Sequence, residues 1–203
     1  MQPDGYPSNW THYDTNVMYV GAGQFGFEAT NGDVNRFGAR FRAAAKFQGV
    51  LLDGYAPSTV SGYSSLCRVM FAWSAFESFM SICRLEQRTV GPLLDFHGAL
   101  TVAEEVRAAD TGDAFYRFIH ERVNAAHRTE LESYFRQDPC NVAYLASAIR
   151  HIFAHGSLTP NANQVDPATV VAVCDKLSEF LVGVMDQEFG RRVAEGLDDL
   201  HGR

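Results

Sequence analysis

The sequence predicts an all-α protein, a helical bundle preceded by an irregular or short-β N-terminal arm. Three observations carry this. Apolar residues recur at helical spacing in segment after segment from about Asn35. Helix start and stop signals punctuate those segments, notably Asp138-Pro139, Gly156 and Asp166-Pro167. The 203 residues are 46% apolar and 20% charged, which is ordinary for a globular chain with a core of good size.

Residues 1–34 form the expected arm. They are rich in Gly, Asn, Asp and aromatics, and VMYVGAGQFGFE reads as a short strand, a hairpin or an irregular stretch packed by Tyr19, Phe25 and Phe27. The helical domain spans 35–190. NRFGARFRAAAKFQGVLL places Phe37, Phe41, Ala44 or Ala45, and Leu51 at near-helical spacing. Pro57 and Ser58 open a long amphipathic helix with Leu66, Met70, Trp73, Phe76 or Glu77, Met80 and Leu85 on one side. Gly91-Pro92 interrupts the chain. TVAEEVRAA carries a capping box, Thr101 with Glu104. GDAFYRFIHERV and HRTELESYFRQ read as short, charge-rich helices. NVAYLASAIRHIFAH follows Asp138-Pro139 and stops at Gly156. The last helix opens at Asp166-Pro167 and carries Val170, Cys174, Leu177, Leu181 and Val184. Residues 191–203 are the expected C-terminal tail, with Arg191 and Arg192 in a fraying helix end.

Charge and composition exclude some classes. A formal net charge of -7 gives no field for binding nucleic acid broadly, so RNA would have to meet a local basic patch. No apolar run reaches membrane-spanning length, and no membrane partner is expected. The polar start MQPDGYPSNWTHYD does not read as a secretory signal, so the expected location is cytoplasmic. Cys67, Cys83, Cys140 and Cys174 lack paired spacing, and three of them sit in apolar helical patterns as reduced core residues. The string VGAGQFG fits a dinucleotide-loop pattern at Gly21, Gly23 and Gly26. It lacks the following helix, second parallel strand and acid, so no cofactor is expected. His120 and His127 read as surface residues, and Trp10, Tyr13 and Tyr19 as aromatics that pack the arm onto the bundle.

The chemistry gathers in SAIRHIFAHGS, residues 147–157. Wound as a helix, Val142, Leu145, Ile149, Ile152 and Phe153 form the core stripe. Arg150, His151 and His155 lie away from it, with the small Ala143, Ser147 and Ala154 between them. Such a face admits a partner helix at close range. Three readings compete. His155 before Gly156 could interact with the last carbonyls of the helix. His151 and His155, at i and i+4, could share a zinc ion, but a third ligand at metal spacing is missing and Arg150 would repel a cation. A base that titrates near neutrality beside a fixed guanidinium could act at phosphorus.

At Arg150 to His155 the sequence resembles the HEPN superfamily, whose motif has the form R-x-x-x-x-H. The polar residue that often follows the Arg is His151 here. The flanks are similar too: an apolar helix before, a Gly after, then a loop and a final amphipathic helix. FAWSAFESFM resembles the family's first long helix, which puts its acid at Glu77. The resemblance covers roughly residues 58–190. It implies a homodimeric helical bundle in which two motifs make one composite site, with metal-independent endoribonuclease activity. His155 would be the acid/base for attack of a ribose 2′-OH on the adjacent phosphate. Arg150 would orient that phosphate, and His151 would support either role. Glu77, Ser147 and Ser157 are the supporting positions. The products would be a 2′,3′-cyclic phosphate and a 5′-OH. The biological setting implied is a toxin or antiphage-defence effector, with an antitoxin or regulatory protein as partner. Toxins of the family often carry a Tyr two residues after the His. Ser157 stands there, so the resemblance does not extend to adenylylation at that position. The alternative is a non-catalytic HEPN-like module that binds a nucleotide or a protein.

Overall fold

The computed structural model describes residues 4–201, and all the regular structure among them is helical. The order is α1 (Trp10–Val20), a 3-10 turn (Ala22–Phe25), α2 (Asn31–Lys46), α3 (Pro57–Ile82), α4 (Gly91–Phe96), α5 (Ala99–Ala109), α6 (Ala114–His120), α7 (Ala125–Phe135), α8 (Val142–Ala154), a second 3-10 turn (Ala162–Gln164) and α9 (Pro167–His201). The expected all-α class is what the chain adopts. No described helix is long and apolar enough to cross a membrane.

Two helices organise the bundle. α3 packs along both α2 and α9, and α8 lies against it as well. Leu66, Val69, Ala72, Trp73, Ala75, Phe76 and Phe79 are all buried, on more than one side of α3. A helix covered on several sides loses its one-sided pattern. Met70 is accordingly only partly buried, although its spacing matches that of the core positions. The helical spacing expected through Leu51 does not extend that far. Its helix ends at Lys46, and Leu51 stands fully exposed in the connection to α3.

The arm differs most from expectation. VMYV is not a strand: it finishes α1, whose Trp10, Tyr13 and Val17 are buried at helical spacing. These rings meet α9. Trp10 stacks on Phe189 at 5.6 Å, and Phe27 stacks on the same ring at 5.0 Å. Tertiary packing of aromatics supplies what local propensity lacks. The glycine-rich stretch only turns the chain. Gly21 closes α1 and Gly26 closes the 3-10 turn, both at positive φ. Trp10 and Tyr13 pack the arm as expected, whereas Tyr19 is exposed.

Other local expectations also shift. The capping box lies at Thr30 and Asp33 at the start of α2. Thr101 is inside α5, which begins at Ala99 behind Gly98, so it caps nothing. The tail is not frayed through 191–201, because α9 continues there and Val193 is buried. Cys83 and Cys174 are buried, Cys67 and Cys140 partly so, and all four are free thiols.

Candidate functional site

α8 carries the motif, and its first turn is pinned from three directions. The Asn141 side-chain oxygen accepts from the Ala143 N–H at 3.0 Å, its amide donates to the Gln87 carbonyl at 2.7 Å, and its backbone N–H donates to Glu130 at 2.8 Å. Helix growth therefore starts at Val142, three residues after Pro139. Val142, Leu145, Ile149 and Ile152 are buried as expected, with Phe153 at the margin of the core. The helix ends in a Schellman motif. Gly156, at φ 73°, donates to the Phe153 carbonyl at 3.0 Å, and Ser157 donates to that of Ile152 at 3.0 Å.

Rotation about this axis sets the site. Arg150 and His151 are half-buried, and His155 and Ser157 are exposed. The His151 and His155 rings meet edge to face, with centroids 4.6 Å apart. Arg150 reaches across to Glu77 on α3, with 3.8 Å between Nη2 and a carboxylate oxygen. Arg150, His151 and His155 therefore share one helix end with Glu77 beside them. Ser157 lies past the stop, and only its backbone is committed there.

Ser147 does not join the exposed group. Ala143 and Ser147 are buried, because α7 lies over the small-residue face. The helix partner expected for that face belongs to the same chain, and only the last turn of α8 is left uncovered. The residue that closes over Ser147 is His127, whose Nε2 is 2.8 Å from Ser147 Oγ. His127 is 8% exposed, so its expected surface position is overturned. Neighbouring spacing in HRTELESYF gives no sign of this, because the partner lies 20 residues away. The available signal was Asn124, whose side chain caps α7 and orients a His in the first turn. His120 is only partly exposed, with Nε2 3.6 Å from Glu132.

The hydrogen bonds fix the His127 tautomer. Asn124 Oδ1 accepts from the His127 backbone N–H at 3.1 Å and lies 2.9 Å from Nδ1. An amide oxygen only accepts, so Nδ1 carries the proton. Nε2 then accepts from the Ser147 hydroxyl, which in turn accepts from the Gln87 amide at 2.6 Å. The order Ser147–His127–Asn124 has the connectivity of nucleophile, base and orienter. It is not a nucleophile site, because Ser147 is 5% exposed in mid-helix and the surrounding N–H groups are held in the helix.

Electrostatics separate the imidazoles. Burial lowers the His127 pKa below the ordinary histidine value, and His151 lowers it further. His151 is also lowered, first by burial, then by His155 and Arg150. Among the described residues no group of three or more His, Cys, Asp or Glu side chains is set to hold a metal ion. For His127 the reason is plain, since both ring nitrogens are already bonded. Arg191 and Arg192 are not free for phosphate either, because both bind Glu188. Compared with known proteins, the chain matches no family model, no curated protein and no solved structure.

Proposed function

We propose that the protein is a metal-independent endoribonuclease of HEPN type, acting as a homodimer through Arg150, His151 and His155. One observation carries the reading: two imidazoles in ring contact beside a guanidinium, all at an accessible helix end. A neutral imidazole takes the proton of the ribose 2′-OH. The 2′-oxygen bonds to phosphorus, the bond from phosphorus to the 5′-oxygen breaks, and an imidazolium gives that oxygen its proton. Arg150 holds the charge on the phosphoryl oxygens with its planar fork. Burial, then His155 and Arg150, lower the His151 pKa, which favours the neutral form that a base needs.

In-line displacement also supports a second copy. The attacking and leaving oxygens stand on opposite sides of phosphorus. Rings touching at 4.6 Å lie on one side of any phosphate that reaches both. The opposite proton carrier then comes from a second α8, whose last turn is uncovered in this chain. A toxin or defence role fits an enzyme whose site is incomplete until copies assemble, and an antitoxin or regulatory protein would act on that assembly. Pairing of Arg150 with Glu77 favours a second reading, a non-catalytic module that binds a nucleotide or protein.

Cleavage of RNA in EDTA decides between them. The wild type should release fragments with 2′,3′-cyclic ends, and a folded His155→Ala protein should lose at least 100-fold in rate, the order of a general acid/base contribution (~10²–10⁴-fold). Undiminished cleavage by that variant would refute the assignment, and no cleavage by a dimeric wild type would favour the binding module.

A further inference from the structure

We infer that His127 is a positioning residue for this site: its ring, locked in one neutral tautomer by Asn124 and Ser147, is the platform on which His151 stacks. The inference deepens the ribonuclease reading by naming what holds one of its bases in place.

The geometry stands on three contacts. The His127 and His151 rings are stacked, with centroids 6.1 Å apart and planes 25° from parallel. His151 also meets His155 edge to face, with centroids 4.6 Å apart. His151 has no side-chain hydrogen bond among the described residues, so these two rings are its orienting surfaces. A flat platform is effective only if it does not rotate. His127 is held at both ring nitrogens and by an edge contact with Tyr144 at 5.3 Å. The chain from Gln87 through Ser147 and His127 to Asn124 is satisfied in a single direction.

Neutrality matters as much as shape. A charged His127 would have to donate from Nε2 to Ser147. The Ser147 hydroxyl would then turn to the Tyr144 carbonyl at 3.3 Å, a longer bond. The titratable and charged groups around His151 are His155 and Arg150 on its own helix, with Glu77 reaching Arg150 from α3. From α7 the facing group is His127. A neutral ring there packs against His151 without adding another positive charge beside Arg150. Burial favours neutral His151, so the platform also tunes the base it positions.

The test follows the ring nitrogens of His127, His151 and His155 by 15N NMR against pH, in the whole chain. Wild type is compared with His127→Ala, His127→Gln and His127→Phe. Wild-type His127 should show the Nδ1–H tautomer and remain neutral while His151 titrates. His127→Ala and His127→Gln remove the ring, and the His151 midpoint should rise toward about 6.5. His127→Phe keeps a flat ring, and the midpoint should stay near the wild-type value. His127→Gln keeps polar contact with Ser147 within reach and decides the matter if the Ala variant does not fold. An unchanged midpoint in folded His127→Gln, or an equal rise in His127→Phe, would overturn the inference. RNA cleavage measured on the same samples separates the two claims. If no RNA is cut but the midpoints move as expected, the positioning role stands and the nuclease reading falls. If cleavage occurs, its low-pH limb should move with the His151 midpoint.

Discussion

Arg150 and Glu77 are both roughly half exposed, so their ion pair contributes no more than about 1 kcal/mol to the fold. Its consequence is functional. Glu77 competes with any phosphate for the guanidinium, and it keeps the side chain near α3 when no anion is bound. Glu77→Gln should therefore leave stability almost unchanged and tighten binding of a short, uncleavable 2′-deoxy oligonucleotide a few-fold. Arg150→Lys retains the charge but loses the two-pronged grip, and should weaken the same complex by about tenfold, or about 1.4 kcal/mol. Fluorescence anisotropy at fixed salt measures both. Weaker binding by Glu77→Gln would mean that the carboxylate aims Arg150 rather than competing for it. The acidic chain makes this single pairing important, because no broad positive field compensates for a guanidinium that is misplaced.

The helix that carries the site ends as its sequence says, and the reason is one backbone position. Gly156 adopts φ 73° with open space where a Cβ would point. A side chain there meets no neighbour, so only the left-handed conformation opposes it. Gly156→Ala should cost about 1–2 kcal/mol in a denaturant titration, and Gly156→Asn less. A loss of several kcal/mol would point to contacts that the structure does not contain. The Asp166-Pro167 start is equally local: Asp166 accepts from the Ala168 N–H at 2.9 Å, and Pro167 opens α9. Such signals were legible because cap chemistry lies within a few residues of the end it serves. The core stripe of α8 and the placing of Arg150 and His155 off that stripe followed from helix period alone. What stayed hidden depends on distant residues. Trp10, Tyr13 and Val17 have helical spacing, but α1 gains its stability from Phe189, far along the chain. The small face of α8 announced that something would cover it without naming α7. The surface position expected for His127 therefore concealed its link between Ser147 and His151.

α9 is the spine against which the N-terminal arm packs, and its polar contacts hold the arm beside its rings. Ser8 bonds Asp186 through its N–H at 2.6 Å and its hydroxyl at 3.0 Å, and Asn9 donates to the Gly190 carbonyl at 2.9 Å. Gln24 donates to the Gly196 carbonyl at 3.1 Å, and Arg192 to that of Gly26 at 2.6 Å. Arg192 is itself positioned by Glu188, a buried carboxylate that also accepts from Arg191 at 2.6 Å. Burial alone would raise the Glu188 pKa. The hydrogen bonds and charges of the two arginines outweigh it, and the pKa lies below its ordinary 4.5. A carboxyl lowered by folding stabilises the native state fully above its unfolded value. That contribution is lost as pH falls through the lower, folded value. The wild type should therefore lose stability as pH drops below about 4.5. Glu188→Gln should be destabilised by about 3 kcal/mol at pH 7, because two arginines lose their common partner in a buried setting. The difference between the two proteins should shrink as the medium is acidified. Thermal unfolding at several pH values reads all three effects, and a difference that stayed constant down to pH 2 would show that Glu188 acts by shape and not by charge. The same loss should free the arm before the site, since Arg150, His151 and His155 depend on α3, α7 and α8. Proteolysis of Glu188→Gln should therefore begin in the first 30 residues while the His151 resonance keeps its wild-type midpoint.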